Sequence, residues 1–133
     1  MKCISITGEK GESSASETWS YPLNRHSLSS PVLDQGLLFT ADCSRVIHCV
    51  DATTGKPYWT HETKGEIWAS PLIADGKVYL GTRRGDFWIF KASREKQVLA
   101  NIQLDSPISA TATAANQTLY VATMFQLYAI RAD

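Results

Sequence analysis

Residues 29–59 read SSPVLDQGLLFTADCSRVIHCVDATTGKPYW, and residues 69–99 read ASPLIADGKVYLGTRRGDFWIFKASREKQVL. The two stretches align without a gap at a spacing of 40 residues, which places Pro31 over Pro71 and Phe39 over Tyr79. A looser third copy, SATATAANQTLYVATMFQLYAIRAD, occupies residues 109–133. A fixed period of this length indicates a repeat architecture in which each unit buries an apolar face against the next.

Each copy is predicted to consist of short strands separated by turns. Asp75-Gly76 stands between two apolar runs, a pattern typical of a tight hairpin, and Gln35-Gly36 and Asn116-Gln117 fill the same slot in the other copies. Residues 93–103 favour a helix by propensity, but the repeat places them over a segment with Gly55 and Pro57, so we predict a strand there. The predicted strands are 18–23, 29–33, 37–41 and 45–50, then 57–62, 67–73, 77–81 and 86–90, then 97–103, 108–113, 118–122 and 126–131.

A period of about 40 residues with four strands is typical of a β-propeller blade. No helical apolar stripe recurs at this period, which argues against helical repeats. We therefore predict an all-β fold, a partial β-propeller of about three four-stranded antiparallel blades in a single domain, residues 1–133. The predicted blades are residues 18–50, 57–90 and 97–131, with residues 2–5 as the orphan outer strand of an incomplete preceding blade and residues 11–18 as a solvated loop.

Composition excludes several classes of function. The 133 residues carry 13 basic and 13 acidic side chains, so the formal net charge is zero and no basic strip for nucleic acid is expected. No run of 18 apolar residues is present to span a membrane, and the start of the chain, MKCISITGEKGE, lacks the apolar core of a secretory signal.

The segment at residues 49–59, CVDATTGKPYW, resembles the signature of the PQQ-like (quinoprotein-type) propeller repeat family. The matching residues are Asp51, Thr54, Gly55 and Trp59. The resemblance implies that the Thr-Gly turn joins one blade to the next, and that the Trp begins the innermost strand and docks between neighbouring blades. The next junction departs from the pattern, because residues 91–96 lack Asp and Thr-Gly and Leu99 stands where the Trp belongs.

The resemblance implies a non-catalytic module that binds or scaffolds a protein or ligand. Two alternatives stay open: the C-terminal blades of a PQQ-dependent alcohol or sugar dehydrogenase, and a structural or sensor repeat region of a larger surface or regulatory protein. The family's alcohol dehydrogenases carry an adjacent cysteine pair, a catalytic Asp, and Glu and Asn ligands for calcium. Cys3, Cys43 and Cys49 are not adjacent, so no catalytic, cofactor-binding or metal-binding residue is carried over. PQQ and calcium are expected only under the dehydrogenase alternative.

Cys43, His48 and Cys49 lie close together in the sequence, as metal ligands often do. A zinc site needs four ligands, and no fourth partner stands out. His48 aligns with Trp88 and Tyr128, which indicates an ordinary strand position. A disulfide between Cys43 and Cys49 stays open at this point, since spacing does not decide connectivity.

The candidate partner-binding residues are basic side chains in predicted turns and loops: Lys56, Lys64, Arg83 and Arg84. The turn at residues 53–57 and the loop at residues 63–66 are predicted to lie at opposite ends of the strands. An open arc of blades exposes an apolar face at each end. The expected partners are therefore another protein, further blades of a longer propeller of which this is the C-terminal part, or copies of the chain that close the arc. The resemblance implies a periplasmic or cell-surface location.

Overall fold

The computed structural model describes residues 1–9 and 12–131, which form four antiparallel sheets. No helix long and apolar enough to cross a membrane is found in this part of the chain. The strands in chain order are β1 (Lys2–Glu9), β2 (Glu12–Ser20), β3 (Val32–Asp34), β4 (Leu37–Asp42), β5 (Val46–Asp51), β6 (Pro57–Glu62), β7 (Leu72–Ala74), β8 (Lys77–Gly81), β9 (Asp86–Lys91), β10 (Val98–Gln103), β11 (Thr113–Ala115), β12 (Thr118–Ala122) and β13 (Leu127–Arg131).

Strands that follow one another in the sequence pair side by side within each sheet. We call β1–β2 the N-terminal hairpin, β3–β6 the first blade, β7–β10 the second blade and β11–β13 the third blade. The short strands β3 and β7 contact each other, so these edges of neighbouring blades converge. Ser29 Oγ donates to the carbonyl of Ala69 at 2.7 Å, and the Ser30 amide donates to Ser70 Oγ at 2.8 Å. The predicted all-β partial propeller is confirmed.

The predicted blade boundaries, 18–50, 57–90 and 97–131, are displaced by one strand. β6 pairs with β5 in the same sheet, with Trp59 opposite Cys49, so the Trp strand closes a blade rather than opening the next one. The reason is the tight turn that joins β5 to β6. Its ends are held by hydrogen bonds from the Asp51 amide to the Lys56 carbonyl and from the Gly55 amide to the Asp51 carbonyl, both 2.8 Å. The passage to the next blade falls instead in residues 63–71.

The N-terminal hairpin also differs from the prediction. The orphan strand predicted at residues 2–5 extends over Lys2–Glu9, and Glu12–Ser20 pairs with it along most of the segment predicted as a loop. Residues 10 and 11 lie outside the described part of the chain. Cross-strand polar pairs support the ladder, because Lys2 Nζ lies 2.6 Å from Glu17 Oε2 and the hydroxyls of Thr7 and Ser14 are 3.0 Å apart.

The first strand of each blade is shorter than predicted. Pro31 and Pro71 lack an amide hydrogen, so β3 and β7 begin one residue later than the prolines. The hairpin turns that follow have positive φ at both central residues, for example 50° at Asp75 and 64° at Gly76, as the Asp-Gly pattern predicts. Residues 98–103 form the strand β10, so the repeat correctly outweighs helix propensity there.

Apolar side chains fill the two spaces between successive blades. Phe39, Ile47 and Phe90 are buried between the first and second blades. Phe87, Ile108 and Val121 are buried between the second and third blades. Residues from alternate positions of each strand therefore face one neighbouring blade, which is how a propeller shares its core among stacked sheets.

Candidate functional site

The Asp51 carboxylate organises the signature turn between β5 and β6. Asp51 Oδ1 accepts hydrogen bonds from the amides of Thr53 at 2.9 Å and Thr54 at 2.8 Å, and from Thr54 Oγ1 at 3.0 Å. Asp51 Oδ2 accepts from the hydroxyl of Tyr58 at 2.8 Å. These bonds, first from Tyr58 and then from the Thr54 amide, lower the pKa of Asp51 to about 2. Both carboxylate oxygens are thus engaged within the turn.

We expect this turn to make the protein sensitive to acid. Because the pKa of Asp51 is lower in the folded chain than its usual value of about 3.9, its contribution to stability is complete above about pH 4 and is lost as the pH falls through about 2. Between about pH 4 and about pH 2, the unfolding free energy of Asp51→Asn should therefore fall less than that of the wild type. Tyr58→Phe removes one hydrogen bond to Asp51, so it should shorten the pH range over which the unfolding free energy falls. Urea unfolding at a series of pH values measures both effects, and parallel curves for wild type and Asp51→Asn would contradict the assignment.

One tryptophan links the N-terminal hairpin to the first blade, and a second links the first blade to the second, through the signature turn or its counterpart. Trp19 Nε1 donates to the carbonyl of Ala52 at 3.2 Å, and Trp59 Nε1 donates to the carbonyl of Ser93 at 2.9 Å. The ring of Trp59 lies between Phe39 and Phe90, with centroid distances of 5.8 and 5.7 Å. We call the space between two neighbouring sheets a seam.

The seam between the second and third blades lacks its tryptophan. β10 pairs with β9 so that Ala100 lies opposite Ile89, just as Trp59 lies opposite Cys49. The pairing of β10 with β9 shifts register at Leu99, as the pairing of β6 with β5 does at Tyr58. Ala100 therefore corresponds to Trp59, and the assignment of Leu99 to the Trp position is wrong by one residue. The cause is the link between β9 and β10, residues 92–97, which is one residue longer than its counterpart, residues 52–56. A cleft of about 870 Å³ lies in this seam.

A buried polar network joins the N-terminal hairpin to the first blade. His48 is 3% exposed, and its Nε2 lies 3.2 Å from Asp42 Oδ2, while its Nδ1 lies 3.0 Å from the hydroxyl of Tyr21. A carboxylate only accepts, so Nε2 carries the hydrogen and Nδ1 accepts from Tyr21. Burial lowers the pKa of His48, and the hydrogen bond and charge of Asp42 oppose this by raising it. Burial raises the pKa of Tyr21, and the negative charge of Asp42 raises it further. Both ring nitrogens of His48 are hydrogen-bonded and the ring is buried, so the network serves to hold the seam.

Asp42 completes this network as an acceptor. Burial alone would raise its pKa, but hydrogen bonds from Ser44 and from His48 outweigh burial and hold the pKa of Asp42 below its usual range. The Ser44 amide donates to Asp42 Oδ1 at 2.9 Å, and the Asn24 amide donates to Asp42 Oδ2 at 3.2 Å. The carboxylate is fully buried, so these donors replace its hydration.

Among the described residues, Cys43, His48 and Cys49 are not placed together to hold a metal ion. Within residues 1–9 and 12–131, no group of three or more His, Cys, Asp or Glu side chains is placed to hold a metal ion. Cys3, Cys43 and Cys49 are free thiols, and burial raises the pKa of Cys49 to about 12. Cys43 and Cys49 are therefore not joined by a disulfide, and both behave as small buried residues.

Three of the four predicted partner-binding residues meet in one cleft. Lys64, Arg83 and Arg84 line an open cleft of about 540 Å³ at the end of the blades where β4 turns into β5 and β8 into β9. Arg25 and Arg45 line it as well, and sequence reasoning did not identify them. We call these five side chains the basic cleft. Lys56 lies at the opposite end of the strands, in the turn between β5 and β6, as the sequence predicts.

The basic cleft presents positive charge that the described part of the chain largely leaves uncompensated. Arg83 is held in place, because its Nη1 donates to Ser109 Oγ at 2.6 Å and its guanidinium lies 4.4 Å from the centroid of the Trp68 ring. Arg45 pairs with Glu62 at 3.0 Å. Glu66 is the acidic residue in the lining, and its carboxylate accepts from Trp68 Nε1 at 3.3 Å. The cleft therefore suits an anionic ligand.

Within residues 1–9 and 12–131, the side chains of Arg25, Lys64 and Arg84 form no ion pair within 4.0 Å. Asp86, two residues after Arg84, forms no ion pair with it. Asp86 is buried and its carboxylate accepts from Thr82 Oγ1 at 3.1 Å. Arg84 is therefore available to the cleft by itself.

Tandem antiparallel blades that dock a tryptophan onto the turn of the next blade define a PQQ-like β-propeller. The chain belongs to the family described as outer membrane protein assembly factor BamB, whose model matches residues 10–133. The predicted family is thus confirmed. No curated protein sequence matches the chain.

Solved structures share the fold. BamB from Moraxella catarrhalis superposes with a TM-score of 0.77 at 21% identity over 96% of this chain and 42% of that chain. A quinohemoprotein alcohol dehydrogenase from Pseudomonas putida HK5 gives a TM-score of 0.66 at 17% identity, over 76% of this chain and 17% of that chain. The quinohemoprotein alcohol dehydrogenase from Comamonas testosteroni gives 0.62 at 18% identity, over 73% and 17%. The chain thus spans less than half the length of these proteins.

Proposed function

We propose that the chain is a non-catalytic propeller module of the cell envelope that binds an acidic segment of a protein partner in the basic cleft. The observation that carries this proposal is the convergence of Arg25, Arg45, Lys64, Arg83 and Arg84 at one end of the blades of a chain whose net charge is zero. Concentration of one sign of charge in a cleft focuses the electrostatic potential and attracts the opposite charge. The family's description as an outer membrane protein assembly factor supports a place in an envelope assembly.

The donor set of the described residues supports a non-catalytic role. A calcium and quinone site needs free carboxylate and amide oxygens, since calcium takes six to eight oxygen ligands. The buried Asp42 and the signature Asp51 are both saturated by hydrogen bonds from their own surroundings. Neither Asp42 nor Asp51 is therefore free to bind calcium, and this supports the BamB-like role over the dehydrogenase alternative.

We expect charge reversal in the basic cleft to abolish binding of an acidic peptide. Lys64 and Arg84 are exposed, so Lys64→Glu with Arg84→Glu should leave the fold intact. The affinity for a fluorescent Glu-rich peptide, measured by anisotropy, should fall at least about tenfold, and wild-type binding should weaken as salt is added. The matched control is Lys56→Glu with Lys91→Glu, which makes the same change in net charge at the opposite end of the strands.

Three results would overturn the proposal. The first is equal loss of peptide binding in the two double variants, which would indicate a general charge effect. The second is binding to vesicles of anionic phospholipid with no binding to the peptide. The third is dye-linked alcohol or sugar oxidation after PQQ and calcium are added to the full-length protein, which would favour the dehydrogenase alternative.

A further inference from the structure

An exposed tryptophan borders the basic cleft. Trp68 lies in the link between the first and second blades and is 42% exposed. Its ring is nevertheless held in place, because the Arg83 guanidinium lies 4.4 Å from the ring centroid and Trp68 Nε1 donates to Glu66 Oε2 at 3.3 Å. Arg83 and Glu66 both line the basic cleft. An indole that is already fixed in this way loses little conformational entropy when a ligand packs on it.

The exposure of Trp68 does not come from an incomplete blade. The sheets on both sides of its link, the first and second blades, each contain four paired strands. The preceding residue, Ile67, is fully buried in the core between these two blades. The link therefore already contributes an apolar side chain to the core. A large exposed aromatic residue beside charged side chains is typical of a protein-binding surface.

Two further exposed apolar side chains lie beside Trp68. Leu28 occupies the equivalent position one repeat earlier and is 58% exposed. The residues that follow Leu28 and Trp68 are hydrogen-bonded to each other at 2.7 Å, so the two links run side by side. Met124 is 56% exposed, and its Sδ lies 3.9 Å from Arg83 Nη1. We call Leu28, Trp68 and Met124 the apolar rim of the basic cleft.

We propose that the acidic segment bound in the basic cleft carries a large apolar side chain, which packs on the apolar rim while a nearby carboxylate pairs with Arg83. This inference rests on the proposed function and adds a second requirement to the ligand. The basic side chains specify the acidic residues by charge complementarity, and the rim specifies the apolar one. Arg83 joins the two requirements, because its guanidinium stacks on Trp68 and keeps N–H donors beyond the one that Ser109 accepts. In an extended segment, two residues on the same face about 6.5 Å apart meet both groups.

The test compares two fluorescent peptides of equal charge, in which glutamates flank a central phenylalanine or a central alanine. The wild-type protein should bind the Phe peptide at least about fivefold more tightly by anisotropy, because its side chain leaves water on the apolar rim. In Trp68→Ala this difference should fall to about twofold or less. Trp68→Phe keeps an aromatic face and should retain most of the difference.

Val98→Ala is the matched control, because Val98 is 45% exposed and lies at the other end of the strands, at the start of β10. It should leave both affinities unchanged. Equal binding of the two peptides by the wild type would overturn this inference alone, since the cleft would still bind an acidic segment. Equal weakening of both peptides in Trp68→Ala would also overturn it, since Trp68 would then act only by holding Arg83. Binding of neither peptide would overturn the proposed function and this inference with it.

Discussion

Trp59→Ala is expected to lower the free energy of unfolding by roughly 3–5 kcal/mol, the usual cost of truncating a large buried aromatic residue. Trp59 is 8% exposed, and its ring lies between Phe39 of its own blade and Phe90 of the next. The substitution also leaves the Ser93 carbonyl without its indole donor. Urea denaturation followed by circular dichroism measures the change.

Trp68→Ala is the control for loss of an indole as such. Trp68 is 42% exposed and lies under Arg83 at the rim of the basic cleft. Its truncation removes a cation–π contact worth about 0.5–1 kcal/mol at an exposed site, so a loss near that size is expected. Similar losses in the two variants would show that the seam does not depend on Trp59.

Local sequence chemistry predicted the strands and hairpins well. The Asp75-Gly76 turn fixes the position of β8, and residues 77–81 form a strand with the predicted bounds. Residues 57–62 and 118–122 also match their predicted bounds. These elements depend on neighbouring residues, namely two residues with positive φ and an apolar run, so a single sequence suffices to place them.

The assignment of strands to blades could not be predicted in the same way. A tandem repeat fixes the spacing of its elements but not the point at which one sheet ends and the next begins. Residues 57–62 lie between β5 and β7 in the chain wherever the boundary between two blades is drawn. Only the hydrogen bonds show that they pair with β5. The misplaced Leu99 has a related cause, because an alignment without gaps cannot register one additional residue in the link after β9.

The sequence alone predicted only some of the residues of the basic cleft. Arg83 and Arg84 adjoin a predicted turn, and Lys64 lies in a predicted loop, so exposure of all three was expected. Arg25 lies in the link between β2 and β3 and Arg45 in the turn between β4 and β5, so only the folded structure brings these two side chains to the cleft. One signal in the sequence could have placed Arg45 in the cleft. This residue lies in the turn after β4, at the position that Gly85 occupies in the next copy.

Gly55→Ala is expected to destabilise the protein by roughly 2–5 kcal/mol, through backbone strain together with overpacking. Gly55 has φ of 70°, a conformation that costs an L-residue about 1–2 kcal/mol. A Cβ there would lie 2.4 Å from Cε3 and 2.6 Å from Cδ2 of Trp19. The indole would have to move away from the turn and would weaken its hydrogen bond to the Ala52 carbonyl.

Gly36→Ala and Gly76→Ala separate the two causes, because both glycines have positive φ, 79° and 64°, and a Cβ at either would meet nothing within 4 Å. Each control variant should lose only the stability that backbone strain at positive φ costs, about 1–2 kcal/mol. The excess loss in Gly55→Ala, about 1–3 kcal/mol, should shrink when Trp19→Ala is made in the same chain, since the two residues are in contact. Chemical denaturation of the four single variants and the Gly55→Ala/Trp19→Ala double variant measures the coupling. Strictly additive losses would show that Trp19 does not rest on the signature turn, and the docking of one blade onto the next would then need another explanation.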